Sequence, residues 1–170
     1  METSKYAKLF GKYPTTSKTI FHEIAEAGAL QLLYRIRDTV EEPVAHFLQE
    51  KDSTGDLCVH VVVKRHRGAH AIQLLKVLVE LGADLNALND VTKFTILHLT
   101  VVSGDYDLAY WLAQHPQVDL NIKGWDGLTA YEMAFIETDS RMMEILRAYG
   151  ARGPYPDLEY DWIPFVNREE

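Results

Sequence analysis

The sequence predicts an all-α solenoid, built from helix–turn–helix units that stack side by side and are joined by β-hairpin-like loops. Three observations lead there. First, residues 71–99 read as one such unit. Leu74, Leu75, Leu78, Val79 and Leu81 recur at helical spacing, Gly82 follows the last of them, Asn86, Asn89 and Asp90 are turn formers, and Thr95 precedes a fresh apolar run where its hydroxyl can cap a helix start. Second, the unit has copies. His22, His60 and His98 each follow two apolar residues at intervals of 38 residues, and residues 129–134 (TAYEMA) align with 95–100 (TILHLT) at an interval of 34. Third, the helix stop recurs: LGADLN at 81–86 matches HPQVDLN at 115–121 loosely, and YGA at 149–151 matches it again. A unit of this kind buries only one face, so it needs a neighbour on each side.

A period near ~33 residues, a TPLH-like helix start and a GA(D)xN ending resemble the ankyrin repeat, strongly over residues 55–152 and more loosely over 19–49. The elements follow in order. Residues 1–18 carry Lys5, Lys8, Lys12 and Lys18 against Glu2, interleaved with Tyr6, Leu9, Phe10 and Tyr13, and read as a short amphipathic helix capping the array, with a mobile arm as the alternative; Pro14 ends any helix there. Residues 19–51 form an irregular first unit: a helix pair turning at Gly28, then TVEEPVAHFLQEK in place of a hairpin, where Pro43 can open a short helix. Residues 52–86 are the next repeat, with a helix over 57–64 and a join over 64–68 that reads about two residues longer than the family norm. Residues 87–121 are the third unit, with its hairpin tip at 89–93 and Pro116 ending its outer helix. Residues 122–152 are the last, with its tip at 124–127, helices over 129–136 and 140–149, Glu132 where the other units have His, and an outer helix made polar by Arg141 and Glu144, as an end unit requires. Residues 153–170 form an acidic tail whose Tyr155, Tyr160, Trp162 and Phe165 are too aromatic for a solvated linker; part of it is expected to fold back on the last unit.

The chain has 170 residues, 47% hydrophobic and 25% charged, which suits one packed array rather than a disordered chain. Its net charge of −8 argues against direct nucleic-acid binding, which needs a basic footprint, and permits a basic protein partner. Cys58 is the single cysteine, so no internal disulfide forms and a reducing compartment is expected. The N-terminal residues lack the apolar core of a signal peptide, and no apolar run approaches the ~20 residues that cross a bilayer.

The chemistry-bearing residues have plainer roles that fit their positions better. The three histidines sit at one position of successive units, and the resemblance to ankyrin repeats implies that they tie each unit to the next rather than bind a metal or catalyse. His60, His66 and His70 lack a Cys or acid to complete a tetrahedral site. Cys58 stands just inside a helix start, where a thiol can be activated, but it has no base in register and reads as a buried filler. No phosphate-binding glycine loop and no nucleophile elbow occurs, so the expectation is a non-enzyme with no cofactor and no metal. What remains is surface. Arrays of this kind bind through hairpin tips and the inner-helix face. The candidate partner-binding residues are Asp90, Lys93, Trp125 and Asp126, with Phe94 expected to turn inward and Trp125 either free or packed under its own hairpin or against the tail.

The resemblance narrows. GDLCVHVVV, VLVELGADLNAL, FTILHLTVVSGDYDLAYWL and GWDGLTAYEMAF are similar to the later repeats of the IκB inhibitors, and the short array with an irregular first unit resembles the IκB-like proteins of polydnaviruses. That resemblance implies an inhibitor that binds host NF-κB/Rel factors, holds them inactive in the host-cell cytoplasm or nucleus, and so suppresses immunity. The sequence has no DSGxxS degron, the nearest string being DSTG at 52–55, and no long acidic PEST-like tail; the resemblance therefore implies an inhibitor not released by regulated degradation. Two alternatives stay open: an adaptor for a different protein, and self-association through the N-terminal segment or the tail.

Overall fold

The computed structural model describes residues 7–153. Among them the chain forms α1 (Ala7–Phe10), α2 (Ile20–Ala27), α3 (Leu30–Thr39), α4 (Ala45–Leu48), α5 (Cys58–Arg65), α6 (Gly68–Glu80), α7 (Ile96–Ser103), α8 (Tyr106–Gln114), α9 (Ala130–Ile136) and α10 (Ser140–Ala148). Two rows result. The inner row stacks α2 on α5, α5 on α7 and α7 on α9; the outer row stacks α3 on α6, α6 on α8 and α8 on α10. This is the predicted all-α ladder. No strand forms among the described residues, and the hairpin-like loops are held by an isolated bridge between Lys123 and Thr129 and by bonds from tip to tip, Asp90 N–H to Gly55 O at 3.1 Å and Trp125 N–H to Thr92 O at 3.1 Å.

The core runs between the rows. Leu74, Leu75 and Leu78 of the sequence stripe are fully buried, and Val79 and Leu81 pack partly buried against them. Gly82 ends α6 as its position requires: its φ is +100°, its N–H bonds Val79 O and the Ala83 N–H bonds Leu78 O, both at 2.9 Å, which closes the last turn. One non-glycine takes the same role. Thr138, at the place of Gly104 one unit earlier, ends α9 with φ +54°.

Two expectations change. The join between α5 and α6 is not long. Helix α5 runs on through Lys64 and Arg65, so His66 and Arg67 alone separate the helices, as Gly28 and Ala29 or Gly104 and Asp105 do elsewhere. The surplus residues lengthen α6, which has 13 residues against nine in α8. Long-range bonds fix this: His66 Nε2 lies 2.8 Å from Ala25 O, and the Gly68 N–H donates to the Asp105 carboxylate at 2.7 Å, so the helix starts there. In the first unit α4 starts at Ala45, two residues beyond Pro43, and buries Phe47 and Leu48 where a hairpin would lie.

At the N-terminal end α1 is a single turn that drives Phe10 into the core against Phe21 and Phe47, at ring separations of 5.3 and 5.5 Å. The rest of the predicted capping segment, residues 1–6, and the tail expected to fold back, residues 154–170, lie outside the described residues. No helix among the described residues is long and apolar enough to cross a membrane.

Candidate functional site: the hairpin tips and inner-helix face

The histidines form a ladder. In each unit Nδ1 accepts a backbone N–H of its own helix start: Thr19 at 3.1 Å for His22, Leu57 at 3.1 Å for His60 and Thr95 at 3.2 Å for His98. An imidazole that accepts at Nδ1 carries its proton on Nε2. That proton points to the next unit: His22 to Asp56 O at 2.9 Å, His60 to Phe94 O at 3.1 Å and His98 to Leu128 O at 3.2 Å. The rings do not converge. Burial lowers the pKa of all three and keeps them neutral. In the last unit Glu132 takes over only the half of the role that remains. Its carboxylate accepts the Thr129 N–H at 2.8 Å, the Glu132 N–H returns to Thr129 Oγ1 at 3.2 Å, and an acceptor-only group offers nothing onward.

The other reactive groups are similarly placed. His66 and His70 meet edge to face at 5.1 Å, and no group of three His, Cys, Asp or Glu side chains among the described residues could hold a metal ion. Cys58 is fully buried, which pushes its thiol up to about 12 and leaves it protonated at neutral pH.

The four candidate partner-binding residues lie on two neighbouring tips. Asn89, itself buried, builds the first. Its Oδ1 accepts the Val91 and Thr92 N–H groups at 2.7 and 2.8 Å, and its Nδ2 reaches back to Thr54 O at 3.2 Å and Asp56 Oδ1 at 2.6 Å. Asp90 is exposed but engaged: the Lys51 ammonium pairs with it and holds its carboxyl below the usual range, and Lys93 lies 3.9 Å away. Lys93 is exposed with φ +52°, at the place where Gly127 stands in the next tip. Asp126 closes its own turn by accepting the Leu128 N–H at 3.0 Å. Trp125 is 70% exposed and so does not pack under its hairpin. Phe94 turns inward as expected, half-buried with its ring stacked on His98 at 5.1 Å.

Sequence reasoning missed three residues of this surface. Val91 on the tip is 73% exposed, and Val102 and Ile136, at one position of α7 and α9, are 66% and 60% exposed. The corresponding residues of the first two units are Glu26 and Lys64. Along the face that the inner helices turn away from the outer row, the surface therefore changes character. It begins with charges, where Glu26 pairs with Lys18 at 2.7 Å and Arg65 at 2.8 Å, and ends apolar, with Leu99 and Met133 partly buried beside Val102 and Ile136. The register against Glu26 and Lys64 was the signal that could have found them.

No protein-family profile matches the chain. It is 34% identical over 139 residues to the I-kappa-B like protein N2 of Microplitis demolitor bracovirus (isolate Webb), covering 80% of this chain and 75% of that protein. It is 34% identical over 134 residues to the I-Kappa-B like protein N3 of the same virus, covering 79% and 82%. Among solved structures it resembles the ankyrin repeat domain of Bcl-3, described as a unique member of the IkappaB protein family, with a TM-score of 0.70 at 22% identity over 79% of this chain and 56% of that chain.

Proposed function

The chain belongs to the I-kappa-B like ankyrin-repeat proteins of bracoviruses, and from that premise we propose that it binds host NF-κB/Rel factors and keeps them inactive, suppressing the host immune response. The observation that carries this reading is the surface itself. Trp125, Val91, Val102 and Ile136 are the most exposed large apolar side chains among the described residues, and all four lie on the tips and inner-helix face. Scattered exposed apolar residues need no explanation, but two on neighbouring tips and two at one register position of adjacent inner helices offer the apolar anchors an interface uses. The net charge of −8 favours approach to a basic partner surface, and the charged first half of the inner face supplies polar pairing around the apolar half.

On this reading the protein acts by occupancy, without catalysis or cofactor, in the host-cell cytoplasm or nucleus, wherever the Rel factor is held. The one string near a degron is folded into a tip: the Asp52 carboxylate accepts the Thr54 and Asp56 N–H groups at 2.8 and 3.1 Å, so residues 52–56 are held in a tight turn inside the array and offer no extended recognition segment. Purified full-length protein mixed with an insect Rel homology region tests the reading. Binding is expected, and Trp125→Ala and Val102→Glu are each expected to weaken it at least about tenfold with little change in thermal stability, because both side chains are exposed. Absence of binding between the purified components, with a different protein recovered from insect immune cells, returns the adaptor alternative.

A further inference from the structure

The chain also carries unspent charge at the end of its helices away from the tips, where each inner helix turns into its outer one. A cavity of about 290 Å³ opens there between the turns of three units, with Arg67 from the second, residues 103–107 from the third and Arg141 from the fourth. Most of its polar groups are satisfied within the fold. The Ser103 hydroxyl donates to Thr100 O at 3.0 Å, the Asp105 carboxylate accepts the Gly68 and Leu108 N–H groups at 2.7 and 3.1 Å, and the Tyr106 hydroxyl donates to Asp139 Oδ2 at 3.2 Å. Three charges are left over. Arg67, Asp107 and Arg141 are exposed, and none of them forms an ion pair among the described residues. Arg67 spends one N–H on Val63 O at 3.1 Å. Arg141 lies over the Tyr106 ring, its Cζ 4.4 Å from the centroid, which holds the guanidinium by its face and leaves its in-plane donors free. Gly104 leaves the floor open: an added Cβ there would meet nothing within 4 Å. The charges alternate across successive turns. Arg67 precedes α6, and Asp107 and Arg141 hold the second place of α8 and of α10, whereas the first unit has Ala29 and Gln31 there.

We propose that this row of turns docks an extended segment of a partner protein in which two acidic side chains flank a basic one, the acids on Arg67 and Arg141 and the base on Asp107. Spacing and charge both suit it. Helices α6, α8 and α10 stack side by side, packed helices stand roughly 8–10 Å apart, and an extended chain advances ~10 Å in three residues. Acid, base and acid at intervals of about three residues therefore match the row. A guanidinium takes a carboxylate through two parallel N–H bonds, which sets the outer two contacts, and Asp107 repels a purely acidic segment. The net charge of −8 opposes this little, because salt screens charges beyond ~8 Å and leaves the local three to decide. Trp125 and Val91 lie on tips at the other end of the inner helices, so the docking row holds whether or not a Rel factor binds there.

Titration of the isotope-labelled full-length chain with the end-blocked peptide Glu-Gly-Ser-Lys-Gly-Ser-Glu, read by amide shifts, tests it. Shifts are expected at Gly68 and from Ser103 to Asp107. The double substitution Arg67→Gln with Arg141→Gln is expected to weaken binding at least about tenfold, and the charge-reversed peptide Lys-Gly-Ser-Glu-Gly-Ser-Lys is expected to bind at least about tenfold more weakly than the first. Unchanged amide positions in α5 and α7 show that the variant is folded, and Trp125→Ala is expected to leave peptide binding as it was. No shift at these turns, equal affinity in the double variant, or equal binding of the two peptides overturns the proposal. Failure of Rel binding with peptide binding intact would sink the earlier reading and keep this one.

Discussion

Each of the three imidazoles is held neutral by two bonds of opposite sense, accepting within its unit and donating to the next. Protonating any of them puts a second N–H where an N–H already points and charges a buried ring. Burial accordingly lowers the folded-state pKa of His22, His60 and His98 below the ordinary value near 6.5. Between the lowered values and about 6.5 the unfolded chain binds more protons than the folded one, so stability rises with pH in that window. The contribution is complete above about 6.5 and is lost progressively as pH falls. Asp52 and Asp90, whose carboxyls are also held low, lose theirs only at pH values below the ordinary carboxylate range, which separates the two effects. Urea midpoints are expected to drop from pH 7.5 to pH 5, and His98→Gln, although less stable throughout, is expected to show a shallower drop. An equal drop with and without His98 would mean that the ladder is not what titrates.

At the scale of the helix, what decides each element is how it stops. Gly82 and Gly104 end α6 and α7 with positive φ and with bonds that close the final turn, and both were legible as glycines following an apolar run. Thr138 closes α9 through the same bonds, Thr138 N–H to Phe135 O at 3.1 Å and Asp139 N–H to Ala134 O at 2.9 Å, but a β-branched residue is strained at φ +54°. Thr138→Gly removes strain of about 1–2 kcal/mol and returns part of it as chain entropy in the unfolded state, leaving a net gain of about 0.5–1 kcal/mol and a rise in Tm of about 2–4 °C per kcal/mol. A calorimetric scan checks it, and a lower Tm would show that the threonine makes a compensating contact. The extra turn of α6 was not legible for a related reason. Lys64-Arg-His-Arg-Gly68 has the composition of a loop, and it is helical up to Arg65 because bonds to Ala25 and Asp105, about 40 residues away in sequence, fix where one helix ends and the next begins.

At the scale of the whole array, nearest-neighbour stacking makes the repeats readable and their outer face harder to read. The histidine and threonine positions recur because every internal unit has the same two neighbours, so spacing gave their equivalence, the resemblance to ankyrin repeats gave the tie from unit to unit, and Glu132 marked the unit where the histidine stops. Trp125 was legible as a tip residue, but the sequence left it free or packed, and its 70% exposure decides against packing under its own hairpin. Val102 and Ile136 were not, because a valine or isoleucine inside an apolar helix reads as core until it is set beside Glu26 and Lys64 at the same position. The same stacking separates stability from binding. Among the described residues an inner unit packs against a unit on each side, whereas the last packs against α7 and α8. In such a one-dimensional array, damage at an end unfolds the end. Leu146 is fully buried in α10, and Leu146→Ala is expected to cost about 2–5 kcal/mol, concentrated in the last unit. That unit carries Trp125 and Ile136. Leu146→Ala is therefore expected to lose amide protection in α9 and α10 before α5 and α6, and to lose partner binding while much of the helical signal survives. Loss of the whole helical signal in one step, together with binding, would instead mean that the four units fold as a single block and that the exposed apolar end of the inner face has no stability of its own to lose.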